Sequence, residues 1–203
     1  SEIASEIIDH VTLSPFKNEA LNEGHIIVGK YGNRHQVPKQ TLVHSLQEPN
    51  VNAHQFCPWY LSYNTLILNG KNRINLVDDQ KGSDLKKPSH LSFQALFQDD
   101  QKREEVRRII HEAFGLYFVI DATDLGKLCL RLSKRKPSTP IEERGIHKEA
   151  VQFQSEALHI QQASDGVKAF TGMITEIIAG DPKVLLIDEP EAFLHPSLSY
   201  KLG

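Results

Sequence analysis

The chain has 203 residues, 39% of them hydrophobic and 24% charged, with a formal net charge of -3. This is the composition of a soluble globular domain with length enough to bury a core, and its slight acidity excludes bulk attraction to nucleic acid or to an anionic membrane. Cys57 and Cys129 make no C-x-x-C pair, which argues against a disulfide framework or a cysteine zinc cluster and makes a reducing cytoplasm the expected location. No apolar run approaches the roughly 18 residues that span a bilayer, and Ser1–Glu6 lacks the basic start and apolar stretch of a signal peptide.

Ile3, Ile7 and Ile8 stand at helical spacing, so residues 1–10 are expected to be a helix tail, with the chain cut at both ends. From 25 to 77 short β-type runs predict an antiparallel sheet region. His25–Val28 is one such run, and 65–68 with 73–77 read as a hairpin around Asn69-Gly70. A polar loop covers 81–88. Helix is expected over 91–113, broken at Asp99-Asp100 and ended by Gly115. Residues 116–120 and 128–132 form an expected strand pair, 133–145 an exposed loop, and 147–162 a further helix. Val167, Phe170, Ile174, Ile177 and Ile178 make the apolar stripe of a helix closed by Gly180. Val184–Ile187 is then a short apolar run, expected as a parallel strand buried on both faces.

That strand ends in Asp188-Glu189-Pro190. In open α/β sheets ligands bind beyond the carboxyl ends of strands. There one carboxylate (Asp188) can hold the Mg²⁺ that bridges nucleotide phosphates, and its neighbour (Glu189) can act as catalytic base toward water. An acidic turn after a buried strand is the plainer alternative. Upstream, Ser164 is an N-cap candidate and Gly166 permits close backbone approach, a combination that suits an anion site at a helix N-terminus or an ordinary cap.

Ser164-Asp165-Gly166 resembles a divergent Leu-Ser-Gly-Gly-Gln signature of ATP-binding-cassette ATPases, and Asp188 to Pro196 resembles the D-E-P-E-x-x-L-H-P run of AAA/ABC-type ATPases of the OLD-like, RecF/SMC-related branch. The resemblance covers about residues 160–200. It implies an α/β P-loop NTPase of ABC-ATPase type with an antiparallel β portion and a helical insertion, truncated at both ends. One partial domain spans 1–203: a helix end and β region (1–90), an insertion (91–162), and the signature helix, Walker B strand and D-loop (163–203). The implied cofactors are ATP and Mg²⁺. Asp188 would serve the metal and Glu189 would be the base, while Ser164 and Gly166 would touch the γ-phosphate held by a second copy. Leu194-His195 would lie in the D-loop, where His195 replaces the aspartate of transporters and either serves the nucleotide or packs at the interface.

A sandwich homodimer follows from the same resemblance, with a DNA or nuclease partner in repair or phage defence. A silent regulatory half of a split cassette and a transporter subunit remain alternatives. No Walker A loop is found. Gly24–Lys30 matches its first seven positions, but Tyr31 replaces the metal-binding hydroxyl and the β-branched interior favours a strand, so the true loop is expected upstream of Ser1. Gln94 and Gln98 are the glutamine-loop candidates. Lys127, Arg131 and Lys134–Lys136 form a basic cluster, and Trp59, Tyr60 and Tyr63 an aromatic one. Each is read more simply as solvated surface or packing. The ten histidines show no metal-ligand spacing.

Overall fold

The computed structural model describes residues 2–15, 19–30, 33–48, 57–59 and 61–189. Two compact units divide the chain: Ser1–Leu66 with Pro182–Leu186, and Ile67–Asp181 with Ile187–Gly203. In the first unit, α1 (Glu2–Val11) buries Ala4, Ile8 and Val11. Strands β1 (His25–Lys30) and β2 (Asn33–Pro38) form an antiparallel hairpin that pairs His25 with Pro38 and Lys30 with Asn33. Helix α2 (Lys39–Gln47) follows, an element that the sequence reading did not anticipate. Ile8, Val11, Ile26, Val28 and Leu42 make the core of this unit, with Trp59 packed against it. Trp59 also meets the His35 ring edge-on and lies tilted against Tyr63, at 4.6 and 5.7 Å between ring centres, so Trp59 and Tyr63 serve packing, while Tyr60 lies outside the described residues.

β3 (Thr65–Leu68) does not turn back into a hairpin. Its partner is the distant β8 (Val184–Ile187). Lys183 N donates to Asn64 O, and Asp188 N to Leu68 O, rungs that advance together along both strands in the parallel sense. The segment expected as the second hairpin strand starts in a helix instead, α3 (Gly70–Asn75). Asn69 decides this, because its side chain accepts from Asn72 N at 3.0 Å and caps the helix.

The second unit is built on a small antiparallel sheet. β4 (Gln80–Lys81), β5 (Tyr117–Asp121) and β7 (Leu158–His159) all pair with β6 (Lys127–Ser133). Helices α4 (Ser92–Gln98) and α5 (Asp100–Phe114) break at Asp99, whose side chain caps α5, and Gly115 closes α5 in the left-handed region as expected. Two expectations fail here. Within the presumed 133–145 loop lies α6 (Pro140–Arg144), started by the Thr139 cap and Pro140. The helix expected over 147–162 is only α7 (Lys148–Glu156), since Leu158 and His159 peel off to pair with β6.

Helix α8 (Asp165–Gly180) is capped by Ser164 and ends on Asp181, not Gly180, in the left-handed region at φ 43°. Ala169, Phe170 and Met173 bury its apolar face. β8 follows, but it is not buried on both faces: Val184, Leu185 and Leu186 are 38, 40 and 51% exposed. Among the described residues its sheet has two strands, so no third strand covers its other edge.

Candidate functional site

The acidic pair sits where the chain leaves β8. Asp188 is fixed through its backbone N–H, which donates to Leu68 O at 2.9 Å, and both Asp188 and Glu189 are exposed. Glu189 has φ 49°, a conformation uncommon for a residue with a side chain. What holds this turn is Arg73, a fully buried side chain on α3. Its Nη2 donates to the carbonyl oxygens of Asp188 and of Glu189, the latter at 2.6 Å, while Nε reaches Asn69 O at 3.4 Å. The guanidinium therefore fixes the main chain of the pair through its carbonyl oxygens.

Arg73 is itself held in place by packing. α3 lies against the middle of α8 so closely that a Cβ on Gly172 would stand 2.7 Å from Leu76 Cβ and 3.0 Å from Arg73 O. Only glycine allows that approach. Beyond α3, Gln161 Nε2 donates to Val77 O at 3.2 Å and to Asp78 Oδ1 at 2.9 Å, tying the same segment to the residues just before α8.

At the start of α8, Ser164 Oγ accepts from Val167 N at 3.5 Å, a weak cap, and Lys168 Nζ lies 3.3 Å from Asp165. Ser164 and Gly166 occupy one end of a 16-residue helix, about 24 Å long by helix rise, whose other end feeds β8. Among the described residues no hydrogen bond or ion pair joins them to Asp188 or Glu189. His195 falls outside the described residues.

Within the Gly24–Lys30 stretch His25–Lys30 is a strand, as its β-branched interior predicts, with its backbone paired to β2 and Val28 fully buried. It offers no nest of free N–H groups. Gln94 is buried and donates to Lys81 O at 2.8 Å, and Gln98 donates to Lys87 O at 3.1 Å, so both serve local structure. In the basic cluster Lys127 pairs with Asp79, Arg131 with Asp121, Arg135 with Glu142 and Lys136 with Glu104, which leaves little free positive charge.

Arg73 was missed in the sequence because a lone arginine after Asn-Gly carries no motif. Its signal was the misread segment itself: Ile74 and Val77 stand at i, i+3, the spacing of a helical turn.

A family model described as "AAA domain, putative AbiEii toxin, Type IV TA system" matches residues 78–203. No curated protein gives a match, and neither does any solved structure.

Proposed function

Because the chain belongs to this family of AAA domains, a family of P-loop NTPases, we propose that it is part of an ABC-type ATPase in which Asp188 and Glu189 form the acidic hydrolytic site. The observation that carries this reading is the end of β8, where a buried guanidinium holds two main-chain carbonyls and both carboxylates stay exposed. Exposed carboxylate oxygens at a strand end are the hard donors that suit Mg²⁺, and Asp188 would hold that ion. Bound together with ATP, Mg²⁺ neutralises charge on the phosphates. Glu189 orients the attacking water and accepts its proton.

Ser164 and Gly166 act in this reading on a nucleotide held by a second copy, through the N–H groups at the start of α8. Their place at the far end of α8 supports action across an interface in a sandwich homodimer, which His195 would help to form. The phosphate cradle itself comes from outside the described residues or from another chain, since His25–Lys30 is a strand. The same fact favours a second reading, a catalytically silent half of a split cassette. The family's description as a toxin of a toxin–antitoxin system fits a role in defence. A DNA or nuclease partner would have to use a surface other than the ion-paired basic cluster.

The test is Mg²⁺-dependent ATP hydrolysis with Glu189→Gln alongside, in an assembly that supplies a phosphate loop. Loss of a general base predicts a fall of about 10²–10⁴-fold in turnover with nucleotide binding retained. Equal turnover in the two proteins removes Glu189 from the chemistry. Nucleotide binding without turnover in the wild type favours the silent half.

A further inference from the structure

We propose that Asp79, Cys129 and His159 form a binding site for a zinc-class divalent cation, which clips the segment leaving α3 to strands β6 and β7. This does not depend on the nucleotide reading. The three residues are far apart in sequence, and the sheet brings them together. β4 and β7 both pair with β6, at Gln80↔Leu128 and Arg131↔His159. β5 takes the other edge of β6. β4 and β7 therefore lie along one edge, and their facing ends meet opposite the Cys129–Arg131 stretch. Extending the β4 register by one residue sets Asp79 across from Cys129. His159 stands across from Arg131, which shares a strand face with Cys129.

One ligand atom from each side chain lies within 4.8 Å of the other two. Zinc bonds of about 2.0–2.3 Å in a tetrahedron set ligand atoms closer than this, so closure asks only for small side-chain adjustments. A thiolate, an imidazole and a carboxylate together favour zinc over magnesium or calcium, which take oxygen ligands. Asp79 already divides its oxygens: Oδ1 is 3.5 Å from His159 Nε2, and Oδ2 accepts from Lys127 Nζ at 2.7 Å. One oxygen is thus available to the cation while Lys127 holds the other from the outer shell. Lys127 Nζ is also 3.9 Å from Asp124 Oδ2, so its charge has a second anion to turn to.

On binding, the Cys129 thiol proton passes to solvent and the thiolate sulfur takes the cation. His159 ligates through Nε2, its ring proton resides on Nδ1, and the 3.3 Å approach of Gln161 N to Nδ1 is given up. Cys129 is buried, whereas the side chains of Asp79 and His159 are about a quarter exposed, which leaves a solvent side for a water ligand. Sequence spacing could not show this site, because no two of its ligands share a local motif.

Cobalt(II) titration of the 203-residue chain tests it. The expected result is a thiolate-to-cobalt charge-transfer band that saturates at one equivalent, is bleached by Zn²⁺, resists Mg²⁺ and is absent from Cys129→Ala. His159→Gln should weaken binding at least about tenfold, the lower bound seen even for outer-shell changes. Zn²⁺ should raise the Tm of the wild type and not that of His159→Gln, a readout that stands even if Cys129→Ala fails to fold. No band in the wild type, a band that persists in Cys129→Ala, or equal Zn²⁺ stabilisation of wild type and His159→Gln would each overturn the proposal.

Discussion

Three buried arginines in the same unit do two different kinds of work. On α5, Arg103 and Arg107 converge on Glu143 of α6, Arg103 at 3.2 Å and Arg107 closer still. Asp100 and Glu104 add flanking carboxylates, at 2.7 and 2.5 Å. Arg107 also donates to Phe118 O in β5, and Arg103 to Leu96 O in α4. This knot joins four elements and neutralises its charges locally. Arg73 instead gives hydrogen bonds to the carbonyls of Asp188 and Glu189. The first arrangement secures a fold and the second secures the conformation of two residues. Loss of the knot should therefore be felt globally, and loss of the clamp chiefly at the end of β8.

The largest effect is expected at Glu143. Glu143→Ala leaves two buried guanidiniums without their common carboxylate, and breaking a buried pair in this way costs about 3–5 kcal/mol. Urea denaturation reads this directly. A loss below about 1 kcal/mol would erase the contrast, placing the knot with exposed ion pairs.

Gly172→Ala comes next. The added Cβ meets Leu76 Cβ at a distance that real structures essentially never show and Arg73 O at one tighter than most, and the second neighbour is backbone. Overpacking of this kind costs about 1–3 kcal/mol. It should also push α3 away from α8 and loosen the clamp, so amide exchange at Asp188 should accelerate together with the stability loss. Stability lost with unchanged exchange there would separate α3 packing from the clamp.

Arg73→Met isolates the clamp. Leaving carbonyls short of a donor costs about 1–3 kcal/mol. The distinguishing readout is local: exchange at Asp188 should rise by more than the global change explains, while α5 amides follow global stability. Arg73→Lys keeps the charge without the planar fork and should recover only part of the protection. Uniform acceleration across both regions would show that the two arginine sites are not different in kind.

What could be read in the sequence follows from how local the determining forces are. The break at Asp99-Asp100, Gly115 at the end of α5, Ser164 before α8 and the β5–β6 pair were all legible, because each is signalled within a short stretch of sequence. The acidic pair at the end of an apolar run was legible for the same reason. The partner of β3 was not, since β8 lies over a hundred residues away and the nearby Asn-Gly imitated a hairpin. Asn69 serves a helix equally well, and the Arg73 contacts that tip the choice are long-range. Thr139-Pro140 with Glu142 three residues after the threonine was a readable helix start, masked by counting charge and proline as loop. The exposure of β8 could not be read from its composition, because burial of a strand depends on what other elements cover it.

The smallest effect tests the rim of the knot against its centre. Glu142, beside Glu143 on α6, faces outward to Arg135, with Arg135 Nη2 and Nη1 at 2.6 and 3.1 Å from its oxygens. The Arg135 guanidinium, together with the backbone N–H of Ser138 at 2.6 Å, pulls its carboxyl from 4.5 down to about 2. A depressed carboxyl adds stability that is present above its unfolded value and is lost as pH falls from about 4.5 toward 2. Arg135 is half exposed, so solvent screens the pair and its worth should be the smallest of these effects, even with the guanidinium 4.6 Å over the Phe153 ring. Asp100 and Glu104 are lowered too, by Arg103 and by Lys136 with Arg107, and they shape the acid limb of the wild type. The difference between wild type and Glu142→Gln removes their share. That difference should be constant above about pH 5 and shrink below it. A difference that stays flat down to pH 2 would mean that the Arg135–Glu142 pair at the rim of the knot adds no stability.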